Sequence, residues 1–184
     1  MIKVIKIGGN VVDNPELLGR FVRDFAAMPG MKILVHGGGV KASQMQKAMG
    51  MVPQMVEGRR VTDEETLKVV TMVYAGWCSK NITALLQAEG CNAIGLCGAD
   101  GNVIKARKRA PLYVESLGKE VDYGYVGDVS AESVNAGFIY SLLEKGIVPV
   151  FNAINHDGEG NLLNTNADTI ASSVATAMAN YRYR

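Results

Sequence analysis

Short apolar runs along this chain break at glycine, asparagine or aspartate and give way to stretches with apolar residues at helical spacing. That alternation narrows the available folds more than any other feature, because it predicts βαβ units wound around a largely parallel sheet. Residues 2–7 read as a first strand, broken at Gly8-Gly9. Asn14 is a helix cap and Pro15 a first-turn residue. Leu17, Leu18, Phe21, Val22 and Phe25 then recur as one buried helical stripe. Residues 32–35 form a second strand that runs into His36 and three glycines, and the next helix carries Met45 and Met49 on one face.

Thr62 and Glu65 make a capping-box pattern and open a helical stretch that reaches about Glu89. Residues 91–96 are a third strand. Residues 98–128, rich in Gly, Lys, Arg and Tyr, are expected as hairpins or long loops over the sheet edge. Ser130 starts a further helix, Gly146 ends it, and residues 147–151 return as a strand. Residues 157–160 are a turn and residues 167–179 a last helix. No repeat, low-complexity tract or flexible linker interrupts this order.

Length and composition suit one domain with a real core: 184 residues, 48% hydrophobic and 20% charged. Lys plus Arg number 19 against 18 Asp plus Glu, without the basic excess of a nucleic-acid binder. No apolar run approaches the roughly 18 residues a spanning helix needs, so no membrane partner is expected. The start, MIKVIKIGGN, places lysines within its apolar run and lacks a small-residue cleavage site, unlike a signal peptide. Cys78, Cys91 and Cys97 form no CxxC pair, and an odd number cannot all be bridged; they read as reduced, mostly buried thiols of a cytoplasmic protein. His36 and His156 stand far from other ligand-type residues, so no metal site is expected. His36, before three glycines, reads as a packed or hydrogen-bonded turn residue.

Two strand-to-helix junctions carry glycines, KIGGN (residues 6–10) and HGGGV (residues 36–40). Backbone without side chains can approach a ligand closely and present N–H groups to an anion. Neither junction is a Walker A loop or a GxGxxG fingerprint, and either alone reads first as a tight turn with close packing. Two of them at the carboxyl ends of neighbouring strands lie where open α/β sheets bind ligands. Lys6, two residues before Gly8, is either a solvated edge residue or a point charge for phosphate. A third junction, residues 164–168 (NTNAD), has more Asn and Asp than capping a helix requires. Asn164 and Asn166 share a side of an extended segment. Arg60, just before a helix start, is a surface cation or a bidentate partner for a small carboxylate.

Taken in order, KIGGN, VHGGG, GRRVT, GLCGADG, GYVGDV and LLNTNADT resemble the N-acetylglutamate kinases, a branch of the amino acid kinase family, from residue 1 to about residue 179. The resemblance implies a three-layer α/β/α sandwich with a mainly parallel central sheet. It implies transfer of the ATP γ-phosphoryl group to the side-chain carboxylate of N-acetyl-L-glutamate, or a related N-acylglutamate, in arginine biosynthesis. By position, Lys6 matches the lysine that stabilises the transferring phosphoryl group and Asp168 the aspartate that orients catalytic lysines. Gly8 and Gly9 match glycines on the ATP phosphates. Gly38, Gly39, Arg60, Asn164 and Asn166 match substrate residues, Arg60 at the α-carboxylate. Mg²⁺ is expected to be held mainly through the phosphates of ATP.

Family chains run longer, and their later part supplies the nucleotide pocket and a second catalytic lysine. The expectation is therefore a chain shortened at its C-terminus, carrying the acyl-amino-acid- and phosphate-binding part of the domain and itself weak or inactive as a kinase. Its last five residues, 180–184, match nothing in the family. A homodimer through the helix of residues 62–89 is implied as well. The alternatives are another superfamily member (a carbamate, aspartate or glutamate 5-kinase) and a non-catalytic amino-acid-binding fragment.

Overall fold

The computed structural model describes residues 1–181; Arg182, Tyr183 and Arg184, the end of the unmatched tail, lie outside the described residues. Strand β1 (Lys3–Ile7) leads through Gly8 into the short helix α1 (Gly9–Val12) and then α2 (Pro15–Ala27). β2 (Lys32–His36) is followed by α3 (Gly39–Ala48), and a small hairpin joins β3 (Met55–Val56) to β4 (Arg59–Arg60). α4 (Glu64–Thr71) runs through a π-helical segment (Met72–Cys78) into α5 (Ser79–Ala88), and β5 (Ala93–Leu96) follows. β6 (Arg107–Lys108), β7 (Leu112–Val114), β8 (Lys119–Val121) and β9 (Gly127–Asp128) form two antiparallel pairs, β6 with β9 and β7 with β8. They are the hairpins expected between residues 98 and 128. α6 (Ala136–Glu144), β10 (Val148–Phe151), the hairpin of β11 (Ile154–His156) and β12 (Leu162–Asn164), and α7 (Ala167–Tyr181) complete the order.

The central sheet is parallel throughout, in the order β1-β2-β10-β5. α7 packs on β1 and β2 beside α6, while α5 packs on β5 beside α2, so helices flank the sheet as expected. Ile33, Leu34 and Val35 of β2 and Val150 and Phe151 of β10 are fully buried, the mark of strands covered on both faces. Between the helices and the sheet, Lys32 is buried too. Its Nζ donates to the carbonyls of Phe25, Ala26 and Met28 at 2.7, 2.8 and 2.7 Å. A cation at the carbonyl end of α2 satisfies groups that have no partner within the helix.

Several local readings need correction. The Asn14 carboxamide caps α2 as expected, accepting from Glu16 N and Leu17 N. Leu17, however, leaves the buried stripe and is 42% exposed, because the core takes only the arc of Leu18, Val22 and Phe25. Asp63, not Thr62, caps α4: its carboxylate accepts from Thr66 N at 2.8 Å. Thr62 is fully buried and its hydroxyl donates to Arg60 O. Ser130 caps a single 3₁₀ turn (Ala131–Ser133), and α6 begins after a second cap, Asn135, which accepts from Phe138 N. A polar residue with free neighbours starts whichever turn comes first, and sequence does not say how far that turn continues.

Cys78, Cys91 and Cys97 are free thiols. Among the described residues no helix is long and apolar enough to cross a membrane.

Candidate active site

Four chain segments meet at the carboxyl ends of β1, β2 and β10. Lys6, Gly8, Gly9, Gly38, Gly39, Arg60, Asn164, Asn166 and Asp168 all line one cavity of about 240 Å³. It is smaller than the roughly 300–1,000 Å³ cleft of a drug-sized ligand, so it suits a small ligand. Every residue picked out from the sequence as a site residue is brought to this one place.

On the first side, Lys6 reaches past Gly8, where a Cβ would lie 3.5 Å from its Nζ. The ammonium pairs with Asp168 Oδ1 at 2.9 Å. Asp168 sits in the first turn of α7, where the helix dipole favours a carboxylate. The N–H groups of Gly8 and Gly38 donate to no backbone acceptor among the described residues, and those of Gly9 and Gly39 stand in first turns with no partner within the helix. Gly38 is needed for space: a Cβ there would lie 2.9 Å from Tyr74 Cδ1 and 3.2 Å from Cys78 Sγ.

On the opposite side, Arg60 is buried, 7% exposed. Its guanidinium donates to Gly39 O at 2.9 Å, Ser43 Oγ at 2.8 Å and Gln46 Oε1. All three acceptors are neutral, and no carboxylate pairs with Arg60 among the described residues. A buried cation is costly to leave without an anion, so this one is placed to receive an anionic ligand.

At the third junction, the Asn164 carboxamide donates to Thr62 Oγ1 at 3.1 Å and is buried. Asn166 Oδ1 accepts from Thr169 N at 3.0 Å, so its oxygen caps α7 while the residue still lines the cavity. Thus the two asparagines differ: one ties β12 to Thr62, two residues after Arg60, and the other also starts a helix.

His36 lies beneath the second glycine corner, fully buried, with Nδ1 2.7 Å from Gly37 O. Burial pushes its pKa down to about 4, against a smaller rise from the Gly37 hydrogen bond, so the ring is neutral at ordinary pH. Burial raises the Cys78 thiol to about 11, which makes it a packing residue rather than a nucleophile. Asp13, behind Gly9, is also raised by burial, offset by Lys41 at 4.0 Å.

Tyr74, Met55, Gly58, Arg59, Val126, Ala153 and Thr165 line the cavity without having been singled out as site residues. Tyr74 was legible only as one apolar position of a long helix. Its place in the cavity depends on the π-helical segment and on packing against Gly38, neither of which has a sequence signature.

Among the described residues no group of three or more His, Cys, Asp and Glu is arranged to hold a metal ion. The carboxylate that lines the cavity, Asp168, is engaged by Lys6.

A parallel sheet with two glycine corners, a paired lysine and a buried arginine without a carboxylate partner defines an α/β protein with a cationic cavity at the sheet's carboxyl edge. The chain belongs to the amino acid kinase family: the family model matches residues 1–180. It is similar to the acetylglutamate kinase of Phocaeicola vulgatus, 54% identical over 97% of this chain and 66% of that one. The acetylglutamate kinase of Cytophaga hutchinsonii is 52% identical over 95% of this chain and 63% of its own. The resemblance drawn from motif order therefore holds, and the chain spans just under two thirds of these relatives' length. A solved structure of smu.665 from Streptococcus mutans UA159 superposes with a TM-score of 0.76 at 27% identity, covering 97% of this chain and 69% of that one.

Proposed function

We propose that the protein serves phosphoryl transfer from ATP to the side-chain carboxylate of N-acetyl-L-glutamate or a related N-acylglutamate, a step of arginine biosynthesis in the cytoplasm. On this reading these residues furnish the acyl-amino-acid- and phosphate-binding part of the kinase domain. The observation that carries it is Arg60, a buried cation with no protein anion, facing the same cavity as the Lys6–Asp168 pair and both glycine corners.

The chemistry asks little of acid–base groups. A glutamate side chain, with a reference pKa of about 4.3, is already ionised at neutral pH and needs no base to attack phosphorus. The barrier is repulsion between that carboxylate and a polyphosphate, which positioning and fixed positive charge reduce. Arg60 anchors the α-carboxylate, Asn164 and Asn166 bound the substrate, and the N–H groups at Gly38 and Gly39 direct the reacting carboxylate. Lys6, oriented by Asp168, and the N–H groups at Gly8 and Gly9 meet the phosphoryl group. Mg²⁺ bound to the phosphates would neutralise part of their charge, and a cavity with one engaged carboxylate fits a metal carried in on phosphate rather than caged by protein.

The helix of residues 62–89 divides its faces. Val69, Val70, Val73 and Tyr74 are buried within the chain, whereas Met72 and Trp77 are 55% and 61% exposed; in the proposed homodimer these last two would meet the partner subunit.

Calorimetry tests the substrate reading. N-acetyl-L-glutamate is expected to bind, whereas free aspartate, free glutamate and carbamate are not. Capture of acyl phosphate as hydroxamate, with ATP present and the chain completed by the family's nucleotide-binding part, reports transfer. Binding of a free amino acid in preference to the N-acylated one would overturn the proposal.

A further inference from the structure

We propose that the Tyr74 hydroxyl is a second donor to the α-carboxylate held by Arg60, making a two-residue clamp that selects substrates carrying that group. This deepens the function proposed above and rests on it.

Tyr74 is buried, 6% exposed, yet lines the cavity. Its ring lies against the second glycine corner: Cδ1 and Cε1 would be 2.9 and 3.2 Å from a Cβ on Gly38, and Oη 4.0 Å from one on Gly39. The carbonyl of Gly39 accepts from the Arg60 guanidinium at 2.9 Å, so the phenol, the guanidinium and the glycine corner converge. Arg60 can only donate, and three of its five N–H groups point at Gly39, Ser43 and Gln46, which leaves two to face the cavity. Arg60 lies in hydrogen-bonding reach of the Tyr74 oxygen, and a group that only donates gives the hydroxyl proton no acceptor. A tyrosine with a buried ring normally finds a partner for its hydroxyl, and here that proton is left to the cavity the residue lines. A carboxylate beside Arg60 supplies the missing acceptor.

Two features fit this role. Burial, outweighing the neighbouring Arg60, raises the phenol above its ordinary pKa, so it keeps its proton and remains a donor. The π-helical segment that contains Tyr74 is a distortion found often at functional sites. It presents both Tyr74 and Cys78 to Gly38, closing the corner from behind.

The test is calorimetry on the intact chain with Tyr74→Phe, which keeps the ring that packs on Gly38. Two ligands are compared: N-acetyl-L-glutamate, and 4-acetamidobutanoate, which lacks the α-carboxylate. Tyr74→Phe is expected to weaken N-acetyl-L-glutamate binding about tenfold or more, as for a hydrogen bond to a charged acceptor. The affinity for 4-acetamidobutanoate should stay within about twofold of that of the unmodified chain, with an unchanged melting temperature. Equal affinity of both chains for N-acetyl-L-glutamate would overturn the clamp and leave the proposed function standing. Equal weakening toward both ligands would overturn it as well, since the hydroxyl would then not act through the α-carboxylate. No binding of N-acetyl-L-glutamate by the unmodified chain would overturn the proposed function and the clamp together.

Discussion

Lys6 Nζ lies 2.9 Å from Asp168 Oδ1, so the end of the first strand is tied to the start of the last helix across 162 positions of sequence (168 − 6). The lysine side chain is 28% exposed and the aspartate 73%. A pair this open to water contributes less than about 1 kcal/mol to folding. Its value lies in where it holds the ammonium.

Asp168→Asn is therefore expected to leave the melting temperature within about 3 °C of the unmodified chain. In a chain completed with the family's nucleotide-binding part, acyl phosphate formation, read by hydroxamate capture, should fall at least about tenfold, because Lys6 loses its orientation. A large drop in melting temperature with unchanged rate would assign the pair to stability instead.

Gly38 and Gly37 differ in a way that substitution can read. A Cβ on Gly38 meets Tyr74 and Cys78 at 2.9 and 3.2 Å, whereas one on Gly37 meets nothing within 4 Å. Gly38→Ala should cost about 1–3 kcal/mol by overpacking, measured by denaturant unfolding, and displace Tyr74 from the cavity. Gly37→Ala should stay within about 0.5 kcal/mol. Equal costs at the two positions would show that the close approach at Gly38 is not what limits it.

Arg60→Lys tests geometry against charge. The guanidinium holds Gly39, Ser43 and Gln46 at once, and an ammonium cannot reproduce that planar fork. Binding of N-acetyl-L-glutamate should weaken by at least about tenfold, and stability should drop by about 1–3 kcal/mol as buried acceptors lose their donor. Retention of full affinity would remove Arg60 from the substrate site.

His36 predicts a pH dependence. Its pKa is about 4 in the folded chain against 6.5 for the free side chain, so the unfolded state binds more protons between those values. Stability from keeping this ring neutral is complete above about pH 6.5 and declines as pH falls toward 4. Asp13, raised by burial, works the opposite way, since it takes up a proton more readily when folded. Urea unfolding at pH 7.5 and pH 5 should show the loss, and His36→Gln should flatten it. A slope unchanged in that variant would place the titration elsewhere.

Periodicity and punctuation in the sequence determined the strand and helix order, because burial of an apolar stripe and the reach of an Asn or Pro cap are settled within a few residues of chain. They also marked residues that line the cavity: glycine corners at strand ends, Lys6, Arg60 and the NTNAD junction stand out by local backbone freedom or charge, and motif order assigned their expected roles. Tertiary structure alone decided the remainder. Leu17 looks like its stripe neighbours until the core shows which arc it covers, and Thr62 looks like a cap until burial claims its hydroxyl for the Arg60 carbonyl. Tyr74 enters the cavity only because a π-helical segment packs on Gly38. Which polar atom meets which across long sequence separations, and which buried cation is left without an anion, depends on the packed sheet, where every group must find its partner in three dimensions.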